Sequence, residues 1–176
     1  MPPRKTSKKS ARKKGAARRP LLIVSNRLPI TFKMGQRGLE GHRSSGGLVS
    51  AIEPVLQDRG GQWIGWAGAQ LPRGAKLGRK DDSYQMKAVP LTDTEVNRYY
   101  HGFSNRTLWP LCHSFPGLAR FNRQDWQAYE KVNRKFADAT IAAAQPNSLV
   151  WIQDYHLMLA PQMVREALPE ARLAFF

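Results

Sequence analysis

The stretch Leu149-Val150-Trp151-Ile152-Gln153-Asp154-Tyr155-His156 decides the fold. Four apolar residues, two of them β-branched, read as a short buried strand, and a polar cluster follows at once. Upstream, Trp126, Tyr129, Val132, Phe136, Ala139 and Ala143 recur at three- and four-residue steps. That spacing predicts a helix from about Asp125 to Ala144 with one apolar face, stopped by Pro146-Asn147. Downstream, His156 to Ala167 reads as a helix interrupted or restarted at Pro161, and Arg172 to Phe176 as a strand. Helices alternating with strands point to α/β architecture with a parallel sheet.

The alternation extends toward the N-terminus. Leu21-Leu22-Ile23-Val24-Ser25, bounded by Pro20 and Pro29, is a second buried strand, and a polar, glycine-containing loop is predicted from Asn26 to Ser45. Gly46-Gly47 opens a helix with apolar positions Leu48, Ile52, Val55 and Leu56, in which Pro54 invites a kink and which Gly60-Gly61 ends. Trp63 to Gly68 reads as a strand entering a turn, Pro72 to Lys80 as a basic loop, and Tyr84 to Leu91 as another strand. Thr92 with Glu95 has capping-box spacing for a helix through about Tyr100.

Charge is concentrated at one end. The 176 residues carry a formal net charge of +15 from 28 Lys+Arg and 13 Asp+Glu. Nine of the basic residues and none of the acidic ones lie in the first 19 positions, leaving 19 against 13 over residues 20–176. A segment of Lys, Arg, Ser, Ala and Pro repels itself and has no apolar face, so residues 1–19 are expected to be a disordered tail. Its bland role is a solvated extension; non-specific contact with phosphates is the sharper one, and the rest of the chain shows no nucleic-acid motif. Folding itself is well supported, because 41% of the residues are hydrophobic. No stretch approaches the roughly 18 uncharged apolar residues of a membrane span.

Three polar clusters follow predicted strands: Ser25-Asn26-Arg27, the turn from Trp66 to Gly68, and Asp154-Tyr155-His156. In open parallel sheets ligands bind beyond the carboxyl ends of the strands, so the three should meet at one crevice. Arg27 offers a planar fork of donors to a phosphate, or is a plain surface arginine. Gly46-Gly47 at a helix start can bring backbone N–H groups against an anion, or simply make a turn. Asp154 can bind a hydroxyl or cap the next helix, and His156 reads more readily as packed or surface than as a base. Tyr99, Tyr100, Phe103 and Trp109 are core residues, or in part an aromatic wall for a sugar ring. His42, His101, His113 and His156 have no ligand spacing, so no metal is assigned. The single cysteine, Cys112, excludes an internal disulfide, suits a reducing compartment, and is expected to be buried and inert. Neither a P-loop nor a GxSxG elbow is present.

Together these segments carry more than any one of them. In order they are Leu22 to Pro29, Ser45-Gly46-Gly47-Leu48, Trp63 to Gly68, the aromatic run from Tyr99 to Pro110, and Trp151-Ile152-Gln153-Asp154-Tyr155-His156-Leu157. In this the sequence over about residues 20–176 resembles the N-terminal half of the trehalose-6-phosphate synthase family, retaining glycosyltransferases of the GT-B fold. The resemblance implies a Rossmann-like, acceptor-side domain, here incomplete, facing a nucleotide-sugar domain that this sequence lacks. It implies transfer of glucose from UDP-glucose to glucose 6-phosphate, with both as substrates and no cofactor. Arg27, Tyr100, Trp109 and Asp154 match residues that hold the acceptor, and Trp66 is similar to one lining its pocket. Gly46 and Gly47 match glycines beside the donor's diphosphate. Retention in the family is attributed to front-face attack, so no protein nucleophile is expected.

Two departures accompany the resemblance. The family's FLHIPFP-like segment, with its histidine, would follow Phe175-Phe176, so the chain is expected to be a piece of a longer protein and inactive in transfer by itself. The basic tail lies outside the match. A cytoplasmic location is expected, in keeping with the single cysteine, and a homo-oligomer of the full-length protein is left open. A glucosylglycerol-phosphate synthase, which takes glycerol 3-phosphate, and a non-catalytic sugar-phosphate-binding module stand as alternatives.

Overall fold

The apolar run at the N-terminal side of the domain forms its central strand, β1 (Leu21–Arg27), and its alternate side chains enter two different cores. Leu22 and Val24 point to one face with Ile64, Val150 and Ile152; Leu21 and Ile23 point to the other with Trp63. A strand covered on both faces must be apolar throughout, which is why this sequence does not alternate. The computed structural model of the chain describes residues 19–35, 38–44, 46–72, 74, 75, 77 and 83–176. The expected basic tail, except Arg19, and most of the basic loop from Pro72 to Lys80 lie outside the described residues.

Five strands make one parallel sheet. Beside β1 lie β4 (Gln62–Trp66) and then β5 (Gln85–Ala88) on one side, and β6 (Leu149–Ile152) and then β7 (Arg172–Phe175) on the other. Ile23 is in register with both Trp63 and Trp151. The chain therefore winds outward from β1 in one direction and later returns to wind in the other. The reversal falls between β1 and β6, where a doubly wound sheet opens its binding crevice.

The loop expected between Asn26 and Ser45 is in fact largely a hairpin, β2 (Ile30–Gly35) and β3 (Gly38–Arg43), paired from Ile30↔Arg43 to Gly35↔Gly38. Gly41 makes room there for Ile30 and Phe32, whose atoms a Cβ would meet at 3.0 and 3.3 Å. The glycines that read as loop are thus sites where a partner strand's side chains lie across the backbone. Helix α1 (Gly47–Arg59) continues through Pro54 and ends at Gly60. The carboxylate of Glu53, buried in mid-helix, accepts a hydrogen bond from Tyr84 Oη at 2.8 Å and pairs with Arg43, tying α1 to the hairpin.

On the opposite face, Thr92 and Glu95 form the capping box that their spacing predicted. The helix does not end near Tyr100, however. The short α2 (Asp93–Glu95) passes without a break into a π-helical segment, Val96–Leu108, and then into α3 (Trp109–Cys112). Cys112 at the end of α3 is exposed, not buried as expected, because the chain leaves the core there through an exposed stretch, 111–118. The long helix α4 (Arg123–Ala143) is capped by Asn122 and buries Tyr129, Val132, Phe136 and Ala137 against the sheet. Burial of Val132 and Phe136 contributes roughly 1.5–3 kcal/mol each. After β6, a 3-10 turn (Tyr155–Leu157) precedes α5 (Ala160–Ala167), with Pro161 in its first turn, where a missing N–H costs nothing. No helix among the described residues is long and apolar enough to cross a membrane.

Candidate functional site

Arg27, the last residue of β1, is placed by a close backbone approach. Register between β1 and β4 shifts after Val24, so that Arg27 pairs with Trp66, and Leu28 N–H donates to Trp66 O at 2.9 Å. The crossing works because residue 65 is glycine: a Cβ there would lie 2.6 Å from Leu28 N and 2.7 Å from the Arg27 carbonyl carbon. Ser25 fixes the same corner, its hydroxyl donating to Arg27 O at 2.7 Å and accepting from Trp63 Nε1 at 2.8 Å. The exposed guanidinium then sits 4.7 Å from the Trp66 ring centroid and 5.5 Å from that of Tyr100, inside cation–π range of both.

Contacts continue from there to β6. The Tyr100 ring stacks on His156 (5.4 Å, 15°), and His156 also stacks on Tyr155 at 4.1 Å. His156 Nδ1 lies 3.5 Å from Asp154 Oδ2. Asp154 Oδ1 accepts the Tyr155 N–H at 2.7 Å, so the carboxylate does cap the following turn while keeping its other oxygen for His156. Burial pushes the Asp154 carboxyl upward, but His156 and the Tyr155 N–H outweigh it, and the group stays below the ordinary carboxylate range. Its backbone is strained, with φ 79° and ψ 158°, a region that L residues occupy only when their surroundings impose it. Tyr155, whose hydroxyl donates to Asn105 Oδ1 at 3.2 Å, has its phenol pushed up to about 12 by burial and by the neighbouring Asp154.

Winding decides where Trp109 goes. At 3.6 residues per turn Tyr100 and Trp109 would face opposite ways, whereas a π-helix of about 4.4 per turn returns them to one face. The Trp109 N–H indeed donates to Ser104 O, an i→i+5 bond. Trp109 is 42% exposed and stacked on His113 at 4.1 Å, so among the described residues it stands apart from the Arg27–Tyr100–His156–Asp154 chain of contacts. Tyr99 and Phe103 are core, and Tyr99 Oη donates to Asn26 Oδ1 at 3.1 Å.

Gly46 caps α1 with ordinary dihedrals (φ −70°, ψ 151°), and a Cβ at Gly46 or Gly47 would meet nothing within 4 Å. Neither conformation nor internal packing therefore calls for glycine at these positions. The first turn of α1 carries no acidic residue and leaves backbone N–H groups facing outward. Gly47, Leu48, Trp151 and Gln153 line a cavity of about 500 Å³, so this helix start borders the end of β6 just before Asp154. No group of three or more His, Cys, Asp or Glu able to hold a metal occurs among the described residues.

The profile of glycosyltransferase family 20 matches residues 19–176. The chain belongs to that family. It is 45% identical over 156 residues to a trehalose-6-phosphate synthase of Mycobacterium sp. (strain KMS), covering 88% of this chain and 32% of that one. It is 42% identical over 166 residues to the UDP-forming alpha,alpha-trehalose-phosphate synthase of Schizosaccharomyces pombe, covering 90% and 32%. Its fold matches, with a TM-score of 0.71, 32% identity and coverage of 89% and 33%, the Burkholderia xenovorans enzyme of the same name crystallised with glucose-6-phosphate. The chain spans about a third of the length of these family 20 relatives. The parallel sheet between helices, expected from strand–helix alternation, is the architecture they share.

The support beneath the site carries no motif of its own in the sequence: Ser25, Asn26 and Asn105 lie inside longer runs, and Asn133 sits on the apolar face of α4. The available signal at Asn133 is a fully buried amide on an apolar helix face, which is costly unless every hydrogen bond is made.

Proposed function

We propose that this chain is the acceptor-binding portion of a retaining glucosyltransferase that joins glucose from UDP-glucose to glucose 6-phosphate, releasing UDP and trehalose 6-phosphate. The observation that carries the reading is the Arg27 guanidinium, held between the Trp66 and Tyr100 rings at the reversal point of the sheet. A planar cation so positioned suits the 6-phosphate, since its fork can donate two parallel hydrogen bonds without first being ordered. Asp154, held ionised, accepts from the sugar's hydroxyls. Trp66 borders the pocket, and Trp109, on the same helical face as Tyr100, closes over the apolar face of the hexose.

On this reading the outward N–H groups at Gly46 and Gly47 meet the donor's diphosphate, where the positive end of α1 favours negative charge. Catalysis comes from positioning of acceptor against donor and from stabilising charge on the leaving UDP, with no side chain of this chain acting as nucleophile. On the same reading the remaining nucleotide contacts come from outside the third of the relatives' length that this chain spans. A reducing cytoplasm, where Cys112 remains a thiol, is the compartment this chemistry implies.

Intrinsic tryptophan fluorescence tests the reading, because Trp66 borders the proposed phosphate site. Glucose 6-phosphate should quench or shift the emission saturably, and glycerol 3-phosphate should bind more weakly. Stronger binding of glycerol 3-phosphate would move the assignment to a smaller acceptor.

A further inference from the structure

Two side chains of α4 take no part in the proposed chemistry yet hold the loop that carries it. Asn133 is fully buried, and its amide makes four hydrogen bonds. Nδ2 donates to Tyr129 O at 2.9 Å and to His156 O at 3.2 Å, while Oδ1 accepts from the Leu159 and Ala160 N–H groups, each at 3.2 Å. One turn earlier, the Tyr129 hydroxyl donates to Tyr155 O at 2.7 Å and accepts from Met158 N–H at 3.1 Å. An i, i+4 pair on one helix face thus satisfies backbone groups on five residues between Tyr155 and Ala160.

This density is unusual for a core position. Val132 and Phe136, beside Asn133, are apolar and fully buried, and a leucine at 133 would pack there without needing any partner. The amide matches the loop, whose inward-facing polar groups would otherwise be left without partners. That loop begins at Asp154, whose left-handed backbone cannot persist by local preference and needs the following residues fixed.

We infer that Tyr129 and Asn133 are positioning residues, an α4 clamp that sets the direction of the Asp154 carboxylate and the His156 ring toward the acceptor. The inference rests on the proposed reading of Asp154 as the hydroxyl-binding group. It separates two functions within one site: Arg27, anchored by β1 and Trp66, holds the phosphate independently of the clamp, and Asp154 reads the sugar only while the clamp is intact.

The test uses the 176-residue chain with Tyr129→Phe, which deletes one hydroxyl, and Asn133→Leu, which deletes all four amide bonds. Measured are the melting curve, the Asp154 carboxyl titration by NMR, and affinities for glucose 6-phosphate and inorganic phosphate. Tyr129→Phe should stay folded, let the Asp154 titration move up toward its ordinary value, and weaken glucose 6-phosphate ~5–10-fold, one hydrogen bond's worth. Inorganic phosphate should bind within about twofold of the parent, because it meets only the Arg27 side. Asn133→Leu, if folded, should show the larger effect of the same kind; if it unfolds, Tyr129→Phe decides. A folded Tyr129→Phe protein with the parent's Asp154 titration and the parent's preference for glucose 6-phosphate over phosphate overturns the clamp. If the parent itself shows no such preference, the acceptor reading fails, and the Asp154 titration still judges the clamp by itself.

Discussion

Arg27 and Trp66, the last residues of two neighbouring parallel strands, are in register, and the guanidinium of one lies 4.7 Å from the ring centroid of the other. The stacking restrains a long, exposed side chain that would otherwise lose conformational entropy on gripping an anion. Arg27→Lys should therefore resemble Arg27→Ala more than wild type. Calorimetry with glucose 6-phosphate should show a loss of about 10–100-fold for either, as expected for a charged hydrogen bond, with melting temperatures unchanged. A lysine variant of full affinity would show that point charge alone suffices.

Three glycines around the site should respond differently to alanine. Gly46 and Gly47 have open space where a Cβ would go, so alanine should leave the melting temperature unchanged or slightly higher at Gly47, inside the helix, and slightly lower at the cap Gly46, while weakening pyrophosphate binding at both. Gly65 has backbone atoms at 2.6 and 2.7 Å, so Gly65→Ala should destabilise the fold by a few kcal/mol. The same substitution should also weaken sugar-phosphate binding, since the strand end that carries Arg27 must move. Equal behaviour of the three variants in thermal melts would remove the close-approach account of Gly65.

Acid should loosen the helical face that carries Glu95. Burial pushes the Glu95 carboxyl up, but Lys135, the Thr92 N–H and Lys131 together bring it down to about 2 from an ordinary 4.5. A depressed folded-state value means that this stabilisation is complete above the unfolded value and is lost as pH falls from about 4.5 toward 2. Glu95→Gln should cost roughly 2 kcal/mol at pH 7 and flatten the stability curve between pH 5 and about 2. Urea melts across that range check it, and identical slopes for parent and variant would exclude the pairing.

Cys112, expected from sequence to be inert, lies exposed at the end of α3. A thiol reagent such as Ellman's should react with the native chain at nearly the rate of the unfolded one, without loss of helical signal. Slow reaction, speeded by denaturant, would place the thiol inside.

The strands were legible because a sheet covered on both faces demands unbroken apolar runs, and Leu21 to Val24 and Leu149 to Ile152 are such runs. The capping box at Thr92 and the face of α4 were legible for the same reason, since local chemistry and burial agree there. The hairpin was not, because glycines at 35, 38 and 41 read as loop when their partner strand is unseen. Nor was the π-helical segment, whose i→i+5 bonding has no hydrophobic period of its own to distinguish it from α. At the site, Arg27, Trp66 and Asp154 follow from strand ends and Tyr100 from the aromatic run, whereas the α4 clamp depends on a helix and a loop more than twenty residues apart.

The most direct test of the account is chemical-shift mapping of the isotopically labelled chain titrated with glucose 6-phosphate. The largest shifts should fall at the carboxyl edge of the sheet, on Arg27, Trp66, Tyr100 and the Asp154-to-His156 turn. Shifts confined to the opposite edge, where Pro20, Gln62, Gln85 and Lys87 line another cavity of about 500 Å³, would contradict it.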